Sequence, residues 1–440
     1  MDRRDFMRQS AGLTSAAVGT LAAGQVAKAA ASERIRVGCI GAGGRALSLI
    51  STFSANPEVE IVGIADIDTR KFAEALKVAE ANQGKVPPTM KDFRRLIDDP
   101  SIDAIVIGAP DHWHAIPTIL ACQAGKDVYV EKPDGHNIVE GQRMVAAAKK
   151  HQRVVQMGSQ HRSTERLQSA MRFIREGGLG KCLVAKAWES TRQGSIGHVA
   201  DSTPPPEADY DMWLGPAPLR PFNIRRFHGG WRWFFDYGTG DLGNDGVHRL
   251  DMAVALLNEA ALAQGEPPLG LPASIAASGG KWYFDDMQEF PDTLQVNYNY
   301  GGPAPKFLTY EMRIWAPYNL ESEGEGAAVY GDKAYMVVGN SRWRVFGPKN
   351  QLIKEVAGDS SEKPHVQNFL DCMRSRQKPY CDLETVGHPA SILCHAGNLS
   401  ARLGRQLFLD PATETFRDDP EANAMRTRTE YRQPWLLPEV

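Results

Sequence analysis

Hydrophobic residues fall into two patterns along this chain, and the change between them divides it. From Arg34 to Met157, runs that are apolar nearly throughout alternate with longer stretches of helical periodicity. The apolar runs are Arg34–Ile40, Val59–Ala65, Ala104–Ile107, Asp127–Val130 and Val154–Met157. Helical periodicity follows the first run through about Ser54 and recurs over Ala115–Ala124 and Val139–Lys150. Strands buried on both faces read as unbroken apolar runs, and repeated strand–helix units need crossover connections. This half therefore predicts a doubly wound parallel sheet, whose ligands bind in the crevice beyond the carboxyl ends of its strands. In DVYVEKP (Asp127–Pro133), Lys132 stands at such an end, although on spacing alone a lysine there faces solvent.

Beyond Gly180-Lys181 the period changes. Leu183–Glu189 alternates, and Ser274–Phe284, Asp292–Tyr298, Phe307–Ile314, Gly326–Tyr330 and Ala334–Val338 are short and strand-like. Pro/Gly-rich breaks at Pro204–Pro206, Pro267–Leu271 and Gly301–Pro305 separate them. The pattern suits a large, mostly antiparallel sheet, with helices added over His365–Pro379 and Ser391–Leu403. The fold class expected is α/β, an N-terminal Rossmann-type sheet followed by an α/β domain built on an open antiparallel one.

The chain has 440 residues, room for two or three domains. Its net charge of −3, with signs interspersed, leaves no basic face for nucleic acid. No run is long and apolar enough for a membrane span. The first residues carry an address: Arg3-Arg4, a mild apolar stretch from Ala11 to Ala23, then Ala27-Lys28-Ala29. A charged region, a short apolar region and an A-x-A site make a secretory signal, here with paired arginines. The expected organisation is a leader over 1–31, a dinucleotide domain over 32–157 and a substrate domain over 158–440. Export by the twin-arginine route implies a periplasmic or other extracytoplasmic location. The six cysteines form no CxxC pair and read mostly as buried small hydrophobes, with no zinc site.

Gly41-Ala42-Gly43-Gly44-Arg45-Ala46 follows the first strand and opens a helix, the pattern G-x-G-x-x-A. Gly41 permits the tight turn, the second glycine lets backbone approach a pyrophosphate, and the helix N-terminus faces the phosphates. The second strand ends at Asp66, where a carboxylate accepts from ribose hydroxyls and repels a 2′-phosphate, favouring NAD over NADP. The plain alternative, a helix cap, is a job for which Asp68 is better placed.

With this turn and Asp66, the strand ending PDHWH (Pro110–His114), then AGKDVYVEKP (Ala124–Pro133) and GSQHR (Gly158–Arg162), the chain resembles the Gfo/Idh/MocA oxidoreductases. The resemblance covers nearly the whole chain after the leader, and the EKP stretch is its specific part. It implies an NAD(P)-dependent oxidoreductase acting on a secondary alcohol of a sugar, sugar derivative or polyol, with Lys132 as the proton-transfer residue. It places Gly41, Gly43, Gly44, Arg45, Asp66, Pro110, His114, Glu131 and Gln160 at the cofactor. The outer face of the family's open sheet often joins subunits, so a homo-oligomer is expected.

Family members resembling inositol dehydrogenase carry D-x-x-x-H in the second domain. Here the stretch is Trp231–Asp251, WRWFFDYGTGDLGNDGVHRLD, with His248 kept and Asn244 at the aspartate position. Histidine suits proton transfer near neutral pH, whereas Asn244 can only orient, and Asp245 lies one residue later. The expected catalytic set is Lys132, His248, Asn244 and Asp245. Trp231, Trp233 and Tyr237 read either as a stacking surface for a sugar ring or as buried anchors of their loop. Arg162 is a further candidate for the substrate side.

A lysine amine acts as a base near neutrality where a dry cleft and the positive nicotinamide ring disfavour its charged form. Outside the cytoplasm free NAD is not expected, so an exported enzyme has to retain its cofactor. It then re-oxidises it with a second substrate, as in glucose–fructose oxidoreductase, or returns the hydride to the same molecule, as in redox-neutral NAD-dependent glycosidases. Those glycosidases resemble the first domain but typically replace the EKP lysine, which stands here. A sugar-binding protein on an inert dinucleotide fold is the reading from outside enzymes.

Overall fold

The structure, a computed structural model, describes residues 34–440; the leader read over 1–31 lies outside the described residues. Six parallel strands form the first sheet, in the order β3-β2-β1-β4-β5-β6. They are β1 (Ile35–Ile40), β2 (Val59–Ala65), β3 (Thr89–Met90), β4 (Ala104–Ile107), β5 (Asp127–Val130) and β6 (Val155–Met157). The order reverses between β1 and β4, which opens the crevice there. Helices α1 (Gly44–Ser54), α2 (Phe72–Gln83), α3 (Ala115–Gln123) and α4 (Ile138–Lys150) make the crossovers. β4 and β5 are buried at every residue, which is why they read as apolar runs, Asp127 at the start of β5 being the one polar residue.

Helix α5 (Glu165–Arg175) leads into the second unit, whose sheet has ten strands in the order β14-β13-β12-β11-β7-β10-β9-β8-β15-β16. Its central strands are β7 (Cys182–Glu189), β8 (Ser274–Gly280), β9 (Thr293–Asn299), β10 (Phe307–Arg313), β11 (Glu325–Gly331) and β12 (Tyr335–Val338). The others are β13 (Arg342–Phe346), β14 (Leu352–Ala357), β15 (Leu407–Asp410) and β16 (Thr415–Phe416). Only the β7–β10 pair is parallel. One face is covered by α6 (Val247–Ala263) and α8 (His388–Leu403).

Two segments return from the end of the chain to the first unit. Phe369 of α7 (Lys363–Ser375) packs with Phe53 and Tyr129, and Trp435 packs edge-on to Trp113, 4.9 Å between centroids. Helix α8 is joined to the turn after Lys132 by a buried ion triad. His388 Nδ1 lies 2.7 Å from Asp134 Oδ2 and its Nε2 3.0 Å from Glu414 Oε2.

The strand read over Ser274–Phe284 stops at Gly280. The carboxylate of Asp292 accepts the backbone N–H groups of Trp282, Tyr283 and Phe284, which pulls the chain out of the sheet. All six cysteines are buried free thiols.

Candidate active site

The carboxyl ends of β1, β2, β4 and β5 open onto a cleft of about 370 Å³, within the usual size of small-molecule sites. Its floor is the glycine turn. Gly41 has φ +99°, and a Cβ there would stand 2.9 Å from that of Ala46, so glycine is required and a small residue must follow. Gly43, at the N-cap of α1, supplies no side-chain hydrogen bond, so the helix N-terminus stays open toward the cleft. Asp66 Oδ2 accepts from Ala42 N (2.7 Å) and Oδ1 from Asp68 N (2.9 Å). Each oxygen keeps a second lone pair, and burial raises the carboxyl's pKa above the usual carboxylate value. This cradle fits a dinucleotide: the turn and open helix end would hold its pyrophosphate, and Asp66 its adenosine ribose. Asp66→Ala is expected to weaken NAD binding about 10–100-fold, the value of hydrogen bonds to a charged group. Fluorescence titration with NAD measures it.

The EKP turn supplies one wall. Glu131 Oε1 accepts from Arg45 Nε at 2.7 Å, and Arg45 also pairs with Glu362 ahead of α7. Gly158 lies so close that a Cβ there would come within 2.6 Å of Glu131 Oε1. Lys132-Pro133 is a cis peptide, and His114 Nδ1 is 2.6 Å from the Pro133 carbonyl. His114 Nε2 is 2.8 Å from the Ala109 carbonyl, so this ring joins the turns after β4 and β5. Lys132 Nζ donates to the backbone carbonyl of Asn244 (2.5 Å) and to its Oδ1 (3.2 Å).

Asn244 lies in a π-helical turn, Leu242–Gly246, that opens α6; such turns gather at functional sites because they displace a carbonyl from the helical ladder. Asn244 and Asp245 both line the cleft. Beneath them Asp241 is fully buried with neither oxygen hydrogen-bonded, and burial, then the charge of Asp245, pushes its pKa up to about 8. Such a raised group favours the folded state below its ordinary 3.8, and that contribution is lost as pH rises through about 8. Asp241→Asn is therefore expected to gain stability relative to the parent as pH rises across this window, read from urea midpoints.

His248 does not line the cleft, although the Lys132 charge reaches it. One turn beyond Asn244, it lies buried and edge-on to His161, ring centroids 5.3 Å apart. Burial, then the Lys132 charge, holds its pKa well below 6.5, so the imidazole is neutral. Arg162 is also kept away. Its Nε and Nη2 converge on Asp251 Oδ1 (2.9 and 2.7 Å), and Ser159 Oγ takes Oδ2 (2.7 Å). A buried carboxylate on the rear face of α6 needs those donors more than the cleft does. Gln160, in the turn after the edge strand β6, does not line the cleft either, and its Oε1 is buried without a partner. Of the aromatics, Trp231 lines the cleft, with the Arg232 guanidinium 5.7 Å from its ring. Trp233 and Tyr237 are core anchors, Tyr237 packing 4.8 Å from Trp213. Pro110, Gly43, Gly44 and Arg45 are on the cleft as expected.

Among the cleft residues not singled out from sequence are Asp111, Lys71 and His228. Asp111 is buried, accepts from Thr239 Oγ1 (2.7 Å), and its pKa is raised by burial. Lys71 lies over Gly43, and His228 Nε2 meets Asp68 Oδ2 at 2.8 Å, tying the second unit to the first at the mouth. For Asp111 the PDHWH context was a signal; nothing in the sequence paired His228 with Asp68.

Residues 35–159 match the family model described as an oxidoreductase family, NAD-binding Rossmann fold, of the Gfo/Idh/MocA group. Residues 184–264 and 339–437 match the same group's C-terminal alpha/beta domain. Among curated proteins the chain is 28% identical over 254 residues to a levoglucosan dehydrogenase of Pseudarthrobacter phenanthrenivorans, 56% of this chain and 57% of that protein. A glycosyl hydrolase family 109 protein of Saccharopolyspora erythraea is 28% identical over 159 residues, 35% of this chain and 34% of its own. The chain thus spans little more than half, or less, of these relatives' length. Among solved structures, levoglucosan dehydrogenase with NADH and levoglucosan superposes with a TM-score of 0.64 at 18% identity, over 85% of this chain and 99% of that one. Aldose-aldose oxidoreductase from Caulobacter crescentus gives 0.64 at 18%, over 86% and 100%. At such identity these likenesses establish the fold.

Proposed function

This chain belongs to the Gfo/Idh/MocA oxidoreductase family, and from that premise we propose that it oxidises a secondary alcohol of a sugar or polyol with NAD that it carries bound. The observation that supports this most is the seating of Lys132. Two of the directions around its nitrogen point at Asn244 oxygens, which can only accept. The remaining direction, a lone pair or a third proton, is left for a hydroxyl in the cleft. Lys132 then takes the hydroxyl proton during oxidation and returns it during reduction. Asn244, in place of a second acid or base, fixes the amine's orientation. Trp231 offers an apolar face to a sugar ring. When bound, the nicotinamide supplies the hydride acceptor. Levoglucosan dehydrogenase and aldose-aldose oxidoreductase, named among the relatives, act on molecules of the class proposed here.

The paired arginines near the N-terminus support export of the folded chain, and with it a cofactor that is retained and recycled rather than borrowed. A second reading is favoured by the family 109 glycosyl hydrolases among the relatives: a redox-neutral glycosidase working through a transient keto-sugar. Purified protein, checked for bound NAD by mass spectrometry, is offered free sugars and aryl glycosides separately. Reduction of the bound cofactor by a free sugar is the expected result. Glycoside cleavage in heavy water with deuterium uptake and no net reduction would establish the second reading, and neither response would overturn both.

A further inference from the structure

A second cavity, of about 800 Å³, lies on the other side of the Trp231–Gly243 loop. The loop is a shared wall: Trp231 and Arg232 face the cleft, Phe235 and Thr239 the second cavity. Asn398 Nδ2 donates to the Thr239 carbonyl (2.7 Å) and fixes that wall from α8. The opposite wall is the C-terminal tail, from Ala424 to Gln433, a segment that the proposed oxidation does not use.

The lining holds buried polar atoms without partners. The Arg428 side chain is only 6% exposed; Nη1 donates to the Asp236 carbonyl (3.0 Å), Nε stands 3.6 Å from Glu140, and Nη2 has no partner. Arg402 presents its guanidinium from above the Phe235 ring, 4.0 Å from the centroid. His136 Nδ1 and His395 Nε2 are buried and unpartnered. Burial lowers the pKa of both, His395 to about 4, so both rings are neutral; His136 Nε2 donates to the Phe235 carbonyl (2.8 Å), which leaves its Nδ1 as an acceptor for a ligand hydroxyl. Of the acids at the cavity, Asp236 and Glu140 are occupied, and Glu430 is exposed to solvent. Asp236 pairs with Arg220 at 2.7 Å, and Glu140 accepts from His136 N (2.8 Å) and Tyr431 Oη (3.0 Å). Phe235 and Phe290, 4.4 Å apart, give the cavity a flat apolar side.

We propose that this cavity is a binding site for a small ring-bearing anion, a sugar acid or sugar phosphate. Its charged group is held between Arg402 and Arg428, and its ring lies against Phe235 and Phe290. Guanidinium groups suit both planar carboxylate and phosphate, and the buried Arg428 Nη2, which the pairing with Glu140 through Nε leaves without an acceptor, gains one when an anion enters.

The test is calorimetric titration of the NAD-saturated chain with D-glucuronate, glucose 6-phosphate and, as the neutral control, glucose. At least one anion is expected to bind more tightly than glucose. Its affinity should fall about tenfold or more in Arg402→Gln, which removes a guanidinium resting on a ring, and in Arg428→Lys, which keeps the buried charge. Tighter binding of glucuronate identifies a carboxylate ligand; tighter binding of glucose 6-phosphate, a phosphate. The proposal is overturned if neither anion outbinds glucose, or if the affinity is unchanged in folded Arg402→Gln protein.

Discussion

Lys132→Met is expected to lower turnover of the sugar about 10²–10⁴-fold, the contribution of a positioned acid–base group, and to leave NAD affinity nearly unchanged. The asymmetry follows from where the side chain points. Lys132 Nζ is directed at the Asn244 oxygens, toward the second unit. The dinucleotide cradle is built from the glycine turn, Asp66 and the N-terminus of α1. Methionine fills a similar volume without a proton to give or take. Steady-state rates with a responsive sugar, beside NAD titrations of both proteins, measure the split. Loss of NAD binding together with turnover would show that the lysine builds the cofactor site instead.

His388→Leu is expected to destabilise the fold by about 3–5 kcal/mol, the usual consequence of removing one partner from a buried ion pair. Asp134 and His388 are both almost wholly buried, so the stranded carboxylate cannot turn to solvent. Burial alone would depress the histidine; the carboxylates of Asp134 and Glu414 overcome it and raise its pKa from 6.5 to about 9. A group raised on folding stabilises fully below its unfolded value, and that contribution is lost as pH climbs through the folded one. The parent should therefore lose stability between pH 6.5 and about 9, and His388→Leu should lack that slope. Denaturant midpoints at several pH values test both statements. Because Asp134 follows the Lys132-Pro133 turn directly, this triad also sets where the lysine stands.

The parts read from sequence and the parts missed differ in physical kind. β4 was legible because burial on both faces leaves it no polar position, and β1 and β5 nearly so, with one polar residue each in Arg36 and Asp127. β14 carries the opposite condition: five of its six residues are exposed, so no apolar pattern marks it. The glycine turn, Asp66 and Lys132 were legible because local backbone geometry and strand ends place them. Arg162 was read toward the substrate side, and Trp233 and Tyr237 were left open between a sugar face and buried anchors, because long side chains choose among neighbours that only the tertiary structure supplies. Arg162 found Asp251, and Tyr237 found Trp213. Asn244 was read as an orienting group without its target, since the carbonyl that meets Lys132 depends on a π-helical turn that spacing does not reveal. The link from His228 to Asp68 crosses 160 residues, beyond any local signal.

The central claim is that Lys132 and bound NAD together oxidise a sugar carbon. It is tested most directly by single turnover with sugars deuterated at carbon, followed by mass spectrometry of the nicotinamide released from the protein. The account predicts deuterium in the nicotinamide of the parent and none, on the same timescale, in Lys132→Met. Consumption of sugar with no label reaching the nicotinamide, or equal labelling in both proteins, would contradict it.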